Sequence, residues 1–434
     1  MAIPMRGLIE GFYGPPWTWD ARLEVIGFCA ARGMTHYLYA PKDDPKHRDR
    51  WRDPYDDDEL AGFERLVTES PDGFEIGFAI SPGLSIDYDS ADDRAALAAK
   101  CEQVAARGVR VLCLALDDIP FRAGLGEQHG SLTTWMRDEF DGRAEVVLVP
   151  TEYVGQRRTP YLDALATGVP DDVLIGWTGD AVVNDGITAQ HARDRATTLG
   201  GRAPLLWDNH PVNDGPMGDQ LFIGPLRGRE PALLDELGGY LANVGLQPTA
   251  NKLPLSSIAA WLRRDDPERA WRADADTLGW RTFAEACDGE VPRALAADVI
   301  AGGDTSAARD WFGSASEPSA PGLEEECEAW LTQVRREARV ALAALDLLDL
   351  GPTTGDLEAM GATLGLLTRW KRLQSAPVQV MGPRMGIRPG IGQAADGTWI
   401  VLGSSLVSGV NAVDALCRFA FDQATDPARL ERKL

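Results

Sequence analysis

The chain has 434 residues, 44% hydrophobic and 25% charged, and 66 acidic against 43 basic side chains give a formal net charge of −23. That composition belongs to a folded globular chain and excludes disordered and fibrous classes. The charge argues against nucleic acid, anionic membranes and polyanionic glycans as partners, each of which would be repelled. No apolar stretch reaches the ~18 uninterrupted residues of a membrane span.

The first residues, MAIPMRGLIEGFYG, hold no basic segment followed by an apolar one. The expectation is a cytoplasmic protein without a leader. From there, short apolar runs alternate with amphipathic helical segments. Strands are expected at 7–10, 35–40, 74–80, 110–116, 145–150, 173–177, 204–207 and 221–224, with helices at 20–31, 57–68, 91–106, 131–140, 161–167 and 189–198 between them. Several strands are continuous apolar runs, as parallel strands buried on both faces must be. Eight such units predict an α/β fold with a (β/α)8 TIM-type barrel over residues 1–265. The last units are irregular, with no helix between 214 and 221, so an open doubly wound sheet fits the pattern too.

Beyond Trp261 the strand signal stops. Helical periodicity returns at 266–280, 323–348, 354–374 and 412–424, with a Ser/Pro-rich loop at 313–322, a Gly/Pro-rich loop or flap at 381–397 and a short strand at 398–402. A mainly helical C-terminal domain is therefore expected over 266–434. Six cysteines (Cys29, Cys101, Cys113, Cys287, Cys327, Cys417) are scattered in apolar or helical contexts and are read as reduced thiols. Five histidines without ligand spacing imply no metal site, and no cofactor is expected.

Clusters of polar and aromatic residues follow strand after strand: Glu10–Trp17, Pro41–Asp44, Asp117-Asp118, Thr151–Tyr153, Trp177–Asp180 and Trp207–Asn209. In a barrel these strand ends converge on the face that carries active sites. Asp117-Asp118 is the sharpest of them. Within a strand the two side chains would point to opposite faces, but at its C-terminal end both can enter one pocket. Neighbouring carboxylates divide the work of glycosidic cleavage, one as proton donor and one ionised. The dipeptide alone equally fits a helix N-cap or a metal ligand. Adjacency favours one Asp protonating the leaving group while the other orients a nucleophile belonging to the substrate.

GLIEGFYGPPWT, YLYAPKDDPKHRDRWRDPY, LALDDI, VPTEY, WTG and WDNHPVND, in this order, resemble the family 84 glycoside hydrolases. These are the O-GlcNAcases and bacterial β-N-acetylglucosaminidases, also called hyaluronidase-like. The resemblance spans about the first 260 residues and implies an exo-acting retaining β-N-acetylglucosaminidase that works through an oxazoline. It implies that Asp117 orients the acetamido N–H and that Asp118 is the general acid and then base. It also implies that Gly11 and Lys42 hold sugar hydroxyls and that Asp214 grips the far ones. Tyr153, Trp207 and Asn209 would enclose the acetamido group. The partner implied is a glycan or glycoprotein bearing terminal β-GlcNAc, with the oligomeric state open. Two departures stand out. Relatives carry an Asn just after the eighth strand, where this chain has Gly224-Pro225-Leu226-Arg227, and a Cys before Pro-Thr-Glu-Tyr is Val149 here. Alternatives on the same barrel are a non-catalytic GlcNAc-binding protein and an endo-acting hyaluronidase-type enzyme.

Overall fold

The computed structural model describes residues 3–350, 357–383, 386–393, 399–407 and 411–425. Met5–Glu10 (β1), His36–Tyr39 (β2), Glu75–Ile80 (β3), Val111–Ala115 (β4), Glu145–Val149 (β5), Leu174–Trp177 (β6), Leu205–Asp208 (β7) and Gly239–Asn243 (β8) form a closed parallel barrel in sequence order. The closing pair sets Met5 opposite Gly239 and Ile9 opposite Asn243. Closure leaves no sheet edge and removes the doubly wound alternative.

Alternate strand residues fill the barrel: Ile9, Leu38, Ala79, Val111, Cys113, Val147, Val149, Leu205, Trp207 and Leu241 form one buried cluster. The intervening residues face the helices, which is why the strands read as continuous apolar runs. The helices between strands are Trp19–Ala30 (α1), Asp57–Glu69 (α2), Ala91–Ala105 (α3), Leu125–Glu139 (α4), Pro160–Gly168 (α5) and Ala189–Thr198 (α6), and Pro248–Leu262 (α7) follows β8. Side-chain caps set their starts: Thr18, Asp56 in a capping box with Glu59, Ser90, Thr159 and Thr188.

The eighth strand is not where the sequence placed it. Residues 221–224 form no strand, and the β7–β8 connection holds two 3-10 turns, Gly215–Met217 and Pro231–Asp235, in place of a helix. Leu221 and Ile223 are as buried as Tyr240 and Leu241. Hydropathy favours the wrong segment, and pairing with β1 and β7 identifies the strand.

By internal contacts the chain forms two compact units. One is Met1–Asp214, Pro225–Ala270 and Ile391–Leu402; the other is Gly215–Gly224, Trp271–Gly390 and Gly403–Leu434. Among the described residues seven further helices follow the barrel: Pro267–Thr277 (α8), Arg281–Asp288 (α9), Glu290–Ile300 (α10), Ser306–Ala315 (α11), Glu328–Leu350 (α12), Leu357–Leu373 (α13) and Ala412–Thr425 (α14). Phe283, Phe312, Val334, Ala341, Leu345 and Leu416 are buried within the second unit. The Gly/Pro-rich stretch expected as a loop instead contains Gly386–Gln393 (β9), which pairs with Trp399–Val407 (β10). That partner supplies backbone hydrogen bonds that composition does not reveal. Residues 384–385 and 394–398 of the expected loop and strand lie outside the described residues. Among the described residues no helix is long and apolar enough to cross a membrane.

Candidate active site

Asp117 and Asp118 directly follow the C-terminal end of β4. Asp117 is 6% exposed, and its Oδ2 accepts a hydrogen bond from Lys42 Nζ at 2.6 Å. Its other oxygen, Oδ1, is buried and meets no donor. Burial pushes the Asp117 pKa up, but the charge and hydrogen bond of Lys42 outweigh it and hold the carboxyl below its ordinary value. Asp118 takes φ 52°, a left-handed conformation that Asp tolerates better than most residues. This turn overrides strand alternation, so two adjacent carboxylates share one strand end. Thr151 of the next strand end ties down this turn through a 2.6 Å hydrogen bond from Oγ1 to Leu116 O.

Two phenols hold the Asp118 carboxylate. Tyr13 OH donates to Oδ2 at 2.9 Å and Tyr153 OH to Oδ1 at 3.0 Å. Arg48 donates to Tyr13 Oη at 3.2 Å and to the Asp118 carbonyl at 3.2 Å, bracing both partners. Burial first, and then the charge of Asp118, raise both tyrosine pKa values, so the phenols stay protonated donors. The Tyr13 backbone N–H donates to Asp214 Oδ2 at 2.7 Å. Burial raises the Asp214 pKa and this hydrogen bond partly opposes it.

The opposite wall comes from β1, β7 and β8. Asn243 Oδ1 accepts from the Gly11 N–H at 3.1 Å, and its Nδ2 donates to Asn209 Oδ1 at 2.8 Å. The same Asn209 oxygen accepts from Trp207 Nε1 at 3.0 Å, while Asn209 Nδ2 donates to Val182 O at 2.7 Å. The Trp207 ring packs so closely on Gly11 that a Cβ there would lie 2.4 Å from Cζ2. Only glycine fits against that ring. Lys42 Nζ lies 5.9 Å from the centre of the Trp207 ring, linking this wall to Asp117.

All eight residues singled out from the sequence (Gly11, Lys42, Asp117, Asp118, Tyr153, Trp207, Asn209 and Asp214) thus belong to one connected constellation at the strand ends. Other polar residues from the same clusters turn away. Glu10 points outward, where Arg22 of α1 grips it at 2.8 Å with Tyr37 OH and the Trp17 N–H. Asp208 is likewise turned from the pocket, paired with Arg229 at 2.6 and 2.9 Å and with Tyr240 OH at 3.0 Å. Glu152 faces Thr159, Asp44 faces Tyr39 and Tyr55, and Asp43 is exposed. Thr178 stays within its own loop, donating to Ala181 O. Among the described residues no group of three or more His, Cys, Asp or Glu has metal-binding geometry.

Three residues escaped sequence reasoning. Asn243 is the last residue of β8 and 4% exposed. The Asn that Gly224-Pro225-Leu226-Arg227 lacks was sought behind the wrong strand; β8 itself ends on an Asn. Tyr13, 45% exposed, is not distinguished in the sequence from the other aromatics of its cluster, yet its hydroxyl donates to Asp118. Arg48 lies six residues beyond Lys42, and only its place in the same motif could have drawn attention.

The beta-N-acetylglucosaminidase family model matches residues 6–288. The Protein O-GlcNAcases of Rattus norvegicus and Mus musculus are each 31% identical over 274 residues, 59% of this chain and 30% of each of those proteins. The chain thus spans less than a third of the length of these curated relatives. Among solved structures, a variant of the Thermobaculum terrenum O-GlcNAc hydrolase superposes with TM-score 0.80 at 25% identity, covering 99% of this chain and 96% of that one. CpGH84B matches in fold with TM-score 0.78 at 24% identity, over 87% and 75% of the two chains. With the motifs, the barrel and the family match in agreement, the chain belongs to the beta-N-acetylglucosaminidase family of glycoside hydrolases.

Proposed function

We propose that this chain is a retaining exo-β-N-acetylglucosaminidase in which the substrate's 2-acetamido group is the nucleophile. Residues 1–265 are its catalytic barrel and 266–434 a helical domain. The observation that carries the reading is the asymmetry of Asp117: one oxygen is saturated by Lys42, and the other is buried without a donor. A buried carboxylate oxygen left unpaired costs free energy until a donor reaches it. The acetamido N–H is such a donor, and an ionised Asp117 polarises it.

In the first step the acetamido carbonyl oxygen attacks C1 and the C1–O bond to the leaving group breaks. Asp118 gives its proton to the departing oxygen. Asp117 balances the positive charge on the oxazoline nitrogen. In the second, water attacks C1 and Asp118 takes its proton. The C1–O bond of the oxazoline breaks and restores the acetamide. Two inversions at C1 give retention. Trp207, Tyr153 and the Asn209 amide enclose the acetamido group, and Asp214, Lys42 and Gly11 hold sugar hydroxyls.

The names of the rat and mouse relatives support protein-linked β-GlcNAc as substrate. Six free cysteines fit a reducing, cytoplasmic setting. The test is hydrolysis of an aryl β-N-acetylglucosaminide beside the matching β-glucoside. Cleavage of the N-acetyl glycoside alone supports the reading. Equal cleavage of both refutes acetamido participation, and cleavage of neither by folded protein favours a GlcNAc-binding role.

A further inference from the structure

Outside the barrel, the second unit contains a cavity of about 760 Å³ between α12 and α13. Four arginines line it, Arg336 and Arg339 from α12 and Arg369 and Arg372 from α13, beside Gln333 and Ser375. Each pair is spaced i, i+3, so its guanidinium groups project from one helix face about 4.5 Å apart along the axis. Among the described residues none of the four pairs with a carboxylate. Two other arginines of this unit do pair: Arg309 contacts Asp346 at 2.7 Å and Asp349 at 2.6 Å, and Arg281 contacts Asp276 at 2.5 Å. In a chain of net charge −23, the described lining of this cavity gathers four arginines and no carboxylate. Like charges one helical turn apart repel, so the arrangement is destabilising by itself.

We propose that this cavity binds a small molecule carrying two phosphate groups and an apolar or aromatic part, of about nucleoside diphosphate size. Guanidinium forks match phosphate oxygens bidentately, and two i, i+3 pairs, one on each helix, provide for two phosphates. Val340, Leu342, Leu373 and Pro377 also line the cavity and would receive the apolar part. The volume lies within the ~300–1,000 Å³ of small-molecule sites. The inference is independent of the glycosidase reading.

The test is calorimetric titration of the full chain with ADP, inorganic pyrophosphate, adenosine and an octaglutamate peptide. It is repeated on the Arg336→Gln/Arg372→Gln variant and on the control Arg418→Gln. All three side chains are exposed, so the substitutions spare the core. The expected result is saturable one-to-one binding of ADP, tighter than pyrophosphate and absent for adenosine. Each arginine removed should weaken it roughly tenfold, with Arg418→Gln and hydrolysis of aryl β-N-acetylglucosaminide unchanged. Four outcomes would overturn the proposal: no saturable ADP binding, equal affinity for ADP and pyrophosphate, unchanged affinity in the double variant, or tighter binding of octaglutamate, which would mark an acidic-peptide surface.

Discussion

Replacing Lys42 with Met isolates the electrostatic claim on which the site depends. The Lys42–Asp117 pair is buried, with side chains 3% and 8% exposed and 2.6 Å between Nζ and Oδ2. Removing one partner of a buried pair costs about 3–5 kcal/mol if the other stays charged. At 1.36 kcal/mol per pKa unit, Asp117 can instead take up a proton once its pKa rises by about 2–4 units. The wild-type pKa is lowered, so the pair's contribution to stability is present above the unfolded Asp value near ~3.9 and lost as pH falls through the folded value. In Lys42→Met the sign reverses. The folded pKa lies above the unfolded one, the substitution is nearly harmless in acid, and stability declines as pH rises through the raised value. The acid limb of kcat/KM for an aryl β-N-acetylglucosaminide should shift up by about 2 units or more, with activity recovering at higher pH in the folded fraction. An acid limb within about half a unit of wild type would refute the assignment of Asp117 as the group whose ionisation Lys42 secures.

Asn243→Ala removes the acceptor of the Gly11 N–H and a donor to Asn209; stability in urea should fall by about 1–3 kcal/mol, with kcat/KM reduced at least tenfold. Asp118→Asn should slow substrates with poor leaving groups far more than activated aryl glycosides, and equal losses on both would remove its role as acid. Gly11→Ala forces a Cβ to 2.4 Å from the Trp207 ring; denaturation should show about 1–3 kcal/mol of overpacking, and the displaced wall should lower kcat/KM about a hundredfold. Asp208→Ala strands Arg229 in the interior and should destabilise by about 3–5 kcal/mol while folded enzyme retains kcat, because this pair faces away from the pocket.

The barrel was legible because buried parallel strands are short apolar runs separated by capped helices, a signal that needs no tertiary information. It failed at β8, where Gly239–Asn243 offers only three large or apolar side chains between a glycine and a polar residue. The 221–224 run is more hydrophobic but buries its side chains without pairing its backbone. The error propagated to the site, since the Asn was looked for behind the wrong strand. The catalytic dipeptide was visible because two adjacent carboxylates after an apolar run contradict strand alternation, and φ 52° at Asp118 is the structural resolution of that contradiction. Alternation also explains what sequence could not sort. Glu10 and Asp208 sit beside Gly11 and Asn209 in the chain, yet they point between barrel and helices, where Arg22 and Arg229 neutralise them. Tyr13 and Arg48 could not be assigned because their contact with Asp118 joins loops far apart in the chain.

Aryl glycosides of GlcNAc bearing N-acetyl, N-fluoroacetyl, N-difluoroacetyl and N-trifluoroacetyl groups test acetamido participation most directly. Each fluorine weakens the carbonyl oxygen as a nucleophile while the leaving group stays the same. The account predicts that kcat/KM falls steeply and monotonically along the series. A flat series, at retained cleavage of the N-acetyl substrate, would show that the nucleophile comes from the protein or from water, and the role given to Asp117 would fail with it.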